Sequence, residues 1–291
     1  MVGEIAVYFN RYYTSEGQEY VSCRLLQCLE RRDIVATKID NFAISGFASQ
    51  KTSYKKVIFF DKDIVFAKYL EHTGARVFNT SGAIQLCDNK AKTYQAVEKL
   101  CPHVALIPTI YSPLLFTSQQ KADNNFVSFI ENKLQYPLIA KPSVGSLGSG
   151  VELLENTKAL TNHILATSFS SQIYQKLITP AGIDYRVYTI GAKAVAALKR
   201  ENAGNFVSNI EKGGRGSLIN LENASNIIIK NLAEDIATAL QLDYGAIDFV
   251  RDSGGNYYFL EANSNAYFKA IEALGVDIAG KLVDYICKTN N

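Results

Sequence analysis

The stretch FLEANSNAYF, residues 259–268, sets a carboxylate and a carboxamide, Glu261 and Asn263, two positions apart at the end of an apolar run. Side chains alternate along a strand, so the two share one face. Upstream, YGAIDFVRDSGGNYY reads as the other arm of a hairpin. Its turn is Gly254-Gly255, because both central positions of a type I′ turn need positive φ. Counting outward in antiparallel pairs sets Asp248 directly opposite Glu261. Two carboxylates and an amide oxygen converging there are hard donors, suited to Mg²⁺ or Mn²⁺ held together with substrate phosphates. Like charges facing each other are otherwise unfavourable, and a cation resolves the conflict. Taken alone, the pair fits the wet face of an ordinary hairpin better, so the rest of the chain decides.

A place for phosphates is offered by KPSVGSLGSG, residues 141–150. Gly145, Gly148 and Gly150 let backbone N–H groups approach anionic oxygens, and Ser146 and Ser149 add hydroxyl donors. This is no Walker A loop, since GxxxxGK followed by Ser or Thr is absent. By itself it reads equally well as a flexible hairpin turn. Lys141, just before it, and Lys90 in DNK are candidates to neutralise phosphates, although isolated lysines are ordinarily just solvated.

The elements that must position these groups show as periodicities. EIAVYF, IVATKI, KVIFF and ARVFNT read as strands. GQEYVSCRLLQCLERR places Tyr20, Cys23, Leu26 and Leu29 at helical spacing, and DIVFAKYLEHTG is a second helix closing on Gly74. Strand–helix–strand repeated this way implies a small parallel-sheet domain over residues 1–83, with right-handed crossovers and without the GxGxxG of a dinucleotide site. CDNKAKTYQAVEKL follows as an amphipathic helix with Asp88 as its N-cap. YPLIAKPSVGSLGSGVELLE reads as strand, turn, strand within a central unit over 84–171, and SPLLFTSQQKADNN (112–125) as a surface connection. From 172 the pattern turns to mixed strands and helices, which make a third unit over 172–291.

Bulk properties exclude several classes. Thirty basic residues against 28 acidic give a formal charge of +2, which makes no electrostatic case for nucleic acid or a membrane surface. No apolar run approaches the roughly 20 residues of a membrane span. MVGEIAVYFN lacks the basic start and long apolar stretch of a signal peptide. Five cysteines without CxxC spacing argue for reduced thiols in the cytoplasm and against a disulfide framework or zinc site. The three histidines are scattered, and no GxSxG occurs.

In order along the chain, NTSGAIQLCDNK, YPLIAKPSVGSLGSGV, YQKLI, GIDYRVYTIGAKAVAALKR, NIEKGG, YGAIDFV, FLEANSN and GVDIAG resemble the ATP-grasp superfamily, and most closely its RimK-type α-L-glutamate ligases. The resemblance covers about two thirds of the chain. It implies an α/β and α+β architecture, the ATP-grasp fold, in which two α+β subdomains clasp ATP behind an N-terminal Rossmann-like domain. It also implies roles. Lys90, Lys141, Ser146, Gly148 and Asn209 would surround ATP, with Asp184 near the nucleotide. The backbone of Gln175, Lys176 and Leu177 would meet adenine. Arg186 and Arg200 would hold the transferred phosphoryl group, and Asp248, Glu261 and Asn263 would hold two Mg²⁺ (or Mn²⁺) ions. The implied chemistry activates a carboxylate as its acylphosphate, which an amine then attacks to form an amide and release phosphate.

Several positions depart from that pattern. Val207 stands in FVSN where an arginine is usual, Glu211 and Lys212 replace a basic pair, Lys176 replaces an acidic hinge residue, and Ala266 replaces a proline. Val207 and Glu211 put glutamate as the substrate in question, and the expected ligase acts on an amino acid, a peptide or a protein tail. Relatives of this type often form dimers or tetramers. The competing expectations are a non-catalytic ATP-binding module that regulates a partner and a kinase phosphorylating a hydroxyl.

Overall fold

The continuously apolar IAVYF becomes β1 (Ile5–Phe9), an interior strand of a parallel sheet, where burial on both faces demands such a run. The computed structural model describes residues 5–12, 15–41, 54–113, 123–145, 148–167, 169–204, 206, 208 and 213–290. Chain order continues with α1 (Glu16–Glu30), β2 (Ala36–Asp40), β3 (Lys56–Phe59), α2 (Ile64–His72) and β4 (Arg76–Phe78). The strands lie in the order β2-β1-β3-β4, all parallel. Helix α1 buries Val21, Leu25, Cys28 and Leu29, whereas Cys23 of the expected stripe is exposed. A stripe stepped by three residues drifts about 60° per step, so Tyr20 and Leu29 lie on opposite sides of the helix.

Next come α3 (Ser81–Cys87) and α4 (Lys90–Leu100). Asn89, not Asp88, caps α4, its side chain accepting from the Lys92 N–H at 3.1 Å. Asp88 instead terminates α3, a helix the sequence pattern hides, and pairs with Lys62.

The central layer holds β5 (Thr109–Tyr111), α5 (Asn124–Leu134), β6 (Leu138–Pro142), β7 (Glu152–Leu154), α6 (Thr157–Ala166) and β8 (Gln172–Lys176). Its antiparallel sheet has the order β5-β8-β6-β7. A boundary drawn at residue 172 therefore cuts ahead of a strand of this layer, because alternation marks a strand without saying which sheet pairs with it. Val127, Ile130, Leu138, Leu160 and Tyr174 form a core of its own.

The third layer contains β9 (Ile183–Ile190), β10 (Lys193–Glu201), β11 (Arg215–Ile219), α7 (Ile227–Ala239), β12 (Tyr244–Arg251), β13 (Tyr257–Asn263), α8 (Lys269–Glu272) and α9 (Ile278–Lys288). Its antiparallel sheet runs β11-β10-β9-β12-β13. One face packs on α7 and α4. The other shares a single core with α1 and α9, through Val21, Leu25, Tyr188, Leu198, Leu282 and Ile286. Ion pairs Arg24–Glu272 at 2.8 Å and Arg32–Asp284 at 2.7 Å tie α1 to the α8–α9 segment. No helix among the described residues is long and apolar enough to cross a membrane.

The β12–β13 turn is not the two-residue turn expected. Asp252 N–H donates to Asn256, Gly255 N–H donates to Asp252, and only Gly255 has positive φ, at 90°. That makes a three-residue loop, 253–255, with glycine at the left-handed position. By itself the longer loop would shift the register, and near the turn it does, with Phe249 opposite Phe259. A β-bulge at Leu260 then takes up one residue, and Asp248 faces Glu261 after all.

Asn79, 2 % exposed, stitches the N-terminal sheet to the third layer. Its amide donates to the carbonyls of Tyr244 at 2.7 Å and Ser264 at 2.8 Å. Its oxygen accepts from Asp243 N–H at 2.7 Å and Tyr244 N–H at 3.1 Å. Asn79→Ala should strand these buried backbone groups and lower stability by about 2–5 kcal/mol, read as a lower urea midpoint. A loss below about 1 kcal/mol would show that water or neighbours satisfy them instead.

Candidate active site

The central and third layers face each other across a cleft. Lys90, Lys141, Gly148, Gln175, Lys176, Leu177, Asp184, Arg200 and Glu261 all line it. Asn263 lines a smaller adjoining pocket with Lys62, Lys90 and Glu261. Arg186 and Asp248 sit behind these groups, hydrogen-bonded into the same charged cluster. Ser146 and Asn209, with Val207, Glu211 and Lys212, lie outside the described residues.

Ile107, Ile139, Val250, Leu260 and Phe206 give the cleft apolar walls. Beside it runs the end of β8, where Gln175 turns its side chain inward to Thr109 Oγ1 at 2.9 Å and Lys176 N–H donates to Pro108 at 3.1 Å. An apolar slot flanked by backbone suits a flat heterocycle. Gly145, Gly148 and Ser149 of the glycine loop also line the cleft. Gly150 has φ of +68°, and a Cβ there would meet Pro142 Cγ at 2.8 Å, so only glycine fits.

Three charges converge where loop and sheets meet. Lys90 opens α4, and its Nζ donates to the Gly145 carbonyl at 2.7 Å. Burial lowers its pKa. Lys141 on β6 is 5 % exposed, and burial lowers it to about 8 although Glu261 pulls the other way. Burial pushes Glu261 up, but Lys90, Lys141 and Arg186 outweigh it and hold the carboxyl at about 2. Each lysine thus depends on an anion. Nucleotide phosphates would supply more. Nucleotide affinity should therefore fall as pH rises through 8 and Lys141 sheds its proton, by roughly tenfold about one unit above. The stability contribution of Lys141 has the opposite sign. Because its folded pKa lies below its unfolded one, stability rises with pH between about 8 and the unfolded value near 10.4. A nucleotide Kd that stays flat across this range would remove Lys141 as a phosphate contact.

Behind them, cross-strand neighbours build a charge ladder. Asp184 and Arg200 are register partners on β9 and β10, as are Arg186 and Asp248 on β9 and β12. Arg200 grips Asp184 through Nε at 2.5 Å and Nη2 at 2.6 Å, and its Nη2 also reaches Asp248 at 2.9 Å. Arg186 holds Asp248 through Nε at 2.8 Å and Nη2 at 2.6 Å. Burial raises the Asp184 carboxyl, while Arg200 and the hydroxyl of Ser208 pull it back. Burial works against the Arg186 charge, and Asp248 overrides it.

The oxygen donors fit a divalent cation shared with phosphate. Glu261 is ionised and lies opposite Asp248. Asn263 donates its amide N–H to Glu261 at 3.2 Å, which leaves its carbonyl as a hard donor on the same edge. Both Asp248 oxygens accept from guanidinium groups, so Asp248 joins such a site by exchanging an arginine bond. No group of three or more His, Cys, Asp or Glu side chains among the described residues could hold a metal unaided. A divalent cation there would take its remaining ligands from phosphate oxygens and water.

Sequence reading missed Ser208, which caps Asp184, and Lys62, which enters the small pocket from the N-terminal sheet. Ser208 sits inside the quoted FVSN, a usable signal. Lys62 comes from a segment distant in sequence from the site and carries none.

A family model, the RimK-like ATP-grasp domain, matches residues 87–286. The probable α-L-glutamate ligase 2 of Hahella chejuensis is 32% identical over 219 residues, 73% of this chain and 69% of its own. An uncharacterized protein of Mycoplasma pneumoniae is 33% identical over 211 residues, 72% of each chain. Among solved structures, the D-alanine–D-alanine ligase of Bacillus anthracis complexed with ATP superposes with a TM-score of 0.74 at 16% identity, over 99% of this chain and 97% of that one. That likeness carries the fold alone, whereas the family match spans the cleft and the ladder behind it. The chain belongs to the RimK-like ATP-grasp family of ATP-dependent carbon–nitrogen ligases.

Proposed function

We propose that this chain activates a substrate carboxylate with ATP and joins it to the amine of an amino acid, a peptide or a protein tail. One observation carries the reading. Lys90, Lys141, Glu261 and Arg200, drawn from both layers, line one apolar-walled cleft together with Gly145 and Gly148 of the glycine loop. Adenine would enter the apolar slot at the end of β8, and the triphosphate would run toward the two lysines. Glu261, Asn263 and Asp248 would hold the divalent ions, which when bound supply charge neutralisation to the phosphoryl oxygens.

The protein's own part is positioning. Lys141 and Lys90 fix the phosphates, and the arginines neutralise charge spread over the transferred group. Apolar walls keep water from the activated carboxylate. Among the described residues Cys87 is the one cysteine lining these pockets, and burial pushes its thiol up to about 12, which disfavours a thiolate there.

The test is an ADP-release screen over amino acids and short peptides with Mg²⁺ and ATP, with products weighed for a new amide. ADP accompanied by a phosphoester would point to hydroxyl phosphorylation. Nucleotide binding without ADP release from any pair would point to a regulatory module.

A further inference from the structure

Helix α4 brings two side chains to the site from one face. Lys90 opens its first turn, and Tyr94, four residues on, lies one turn along the same side. Both line the small pocket with Glu261 and Asn263. Lys90 is a cation for phosphate. Tyr94 is 1 % exposed; burial raises its pKa far above the usual tyrosine range, and the Glu261 charge adds to the rise. A hydroxyl that keeps its proton this firmly serves as a hydrogen-bond donor and not as an acid or base in turnover.

Its acceptor is a backbone group. The Tyr94 hydroxyl donates to the Phe259 carbonyl at 2.7 Å, and the two rings pack at 5.2 Å between centroids. Strand β13 is an edge of its sheet, and a strand residue points its N–H and carbonyl to the same side. At Phe259 that side faces away from β12. The N–H donates to the Ala105 carbonyl at 2.9 Å, and the carbonyl accepts from Tyr94. The peptide held in this way leads directly into the bulge at Leu260, and Glu261 leaves the bulge opposite Asp248. A bulge interrupts the ladder and re-aims the side chain beside it. Cross-strand bonds are weakest as guides at that point, and an anchor from outside the sheet takes over. The same hydroxyl lies beside the side chain of Gln175 on β8, which lines the cleft.

We propose that Tyr94 is a positioning residue for Glu261, its hydroxyl fixing the peptide ahead of the bulge so that the carboxylate faces Lys90 and Lys141 where a phosphate-bound divalent ion would sit. The role rests on the ligase reading and deepens it, by naming a determinant of the metal site that is not itself a ligand. Because Lys90 and Tyr94 share one helix face, α4 sets the separation between a phosphate cation and the metal-binding carboxylate.

Nucleotide affinity with and without metal reads this role without turnover. The Kd of AMP-PNP is measured by calorimetry in Mg²⁺ and in EDTA, and the ratio of the two reports what the ion adds. Tyr94→Phe should cut that ratio by about tenfold, as loss of a group that orients a metal ligand does, and should leave the EDTA value within about threefold. Replacing Tyr94 by 4-aminophenylalanine, which still donates to the Phe259 carbonyl, should restore the ratio. In a Glu261→Gln background, Tyr94→Phe should lower the ratio no further, because its effect runs through Glu261. Four results overturn the assignment: an unchanged ratio, an equal fall in both backgrounds, no recovery with 4-aminophenylalanine, or nucleotide binding lost as fully in EDTA as in Mg²⁺. The last would make the hydroxyl a support of the fold alone. Amide formation in the ADP-release screen beside a ratio indifferent to Tyr94→Phe would sink this assignment and leave the ligase reading. Absence of amide there would sink the ligase reading, whatever the ratio.

Discussion

Glu261→Gln should reduce ADP-forming turnover by about 10³-fold or more while the protein stays folded. Glu261 is the meeting point of the site. Its charge is held on by Lys90, Lys141 and Arg186, and Asn263 fixes its orientation. Glutamine keeps the shape and removes the charge, so two buried lysines lose their nearest anion and a bound cation loses its strongest ligand. Lys141, already lowered to about 8, would fall further and shed its proton closer to neutral pH. Nucleotide affinity should then weaken at lower pH than in the unaltered enzyme. Turnover within tenfold of the unaltered enzyme would show that Glu261 is not at the reaction centre.

Arg200→Met should destabilise the protein by about 3–5 kcal/mol, the range for removing one partner from a buried charged pair. Arg200 is 4 % exposed and bridges Asp184 and Asp248. Without it, burial dominates Asp184 and its carboxyl rises further. A folded pKa raised above the unfolded value makes the group a growing liability as pH rises, so the variant should lose more stability at pH 8 than at about pH 5. Asp184→Asn in the same chain should recover a large part of the loss. Urea midpoints at both pH values decide it, and a loss under about 1 kcal/mol would mean that water already screens the ladder.

The residues of the site were more legible than their partners. Asp248 does oppose Glu261, but the count that placed it there assumed a two-residue turn and no bulge, and these two departures offset each other. A bulge leaves no mark in a pattern of alternating side chains, and Leu260 looks like any other apolar strand residue. Arg186 and Arg200 were expected beside a phosphoryl group, and the carboxylates of Asp248 and Asp184 that orient them were not foreseen. Pairing across β9, β10 and β12 brings these four together from positions 184 to 248, and spacing along the chain encodes none of it. Helix α1 was recognised, but of its quoted stripe Leu29 is buried, Tyr20 and Leu26 are half-buried and Cys23 is exposed, because a three-residue stride drifts around the helix. Lys62 became visible only once the loop after β3 was seen to share a pocket with the end of β13.

Helices α1 and α9 lie in one hydrophobic mass with the sheet β9–β13, whereas β5–β8 have a nucleus of their own. The consequence is mechanical. The first and third layers should therefore move as one piece, and the middle layer is the part expected to shift against them when nucleotide binds. Spin labels on α6 and α9 should draw together when AMP-PNP binds, while a pair on α1 and α9 keeps its spacing. Movement in the second pair would mean that the first and third layers do not move as one piece.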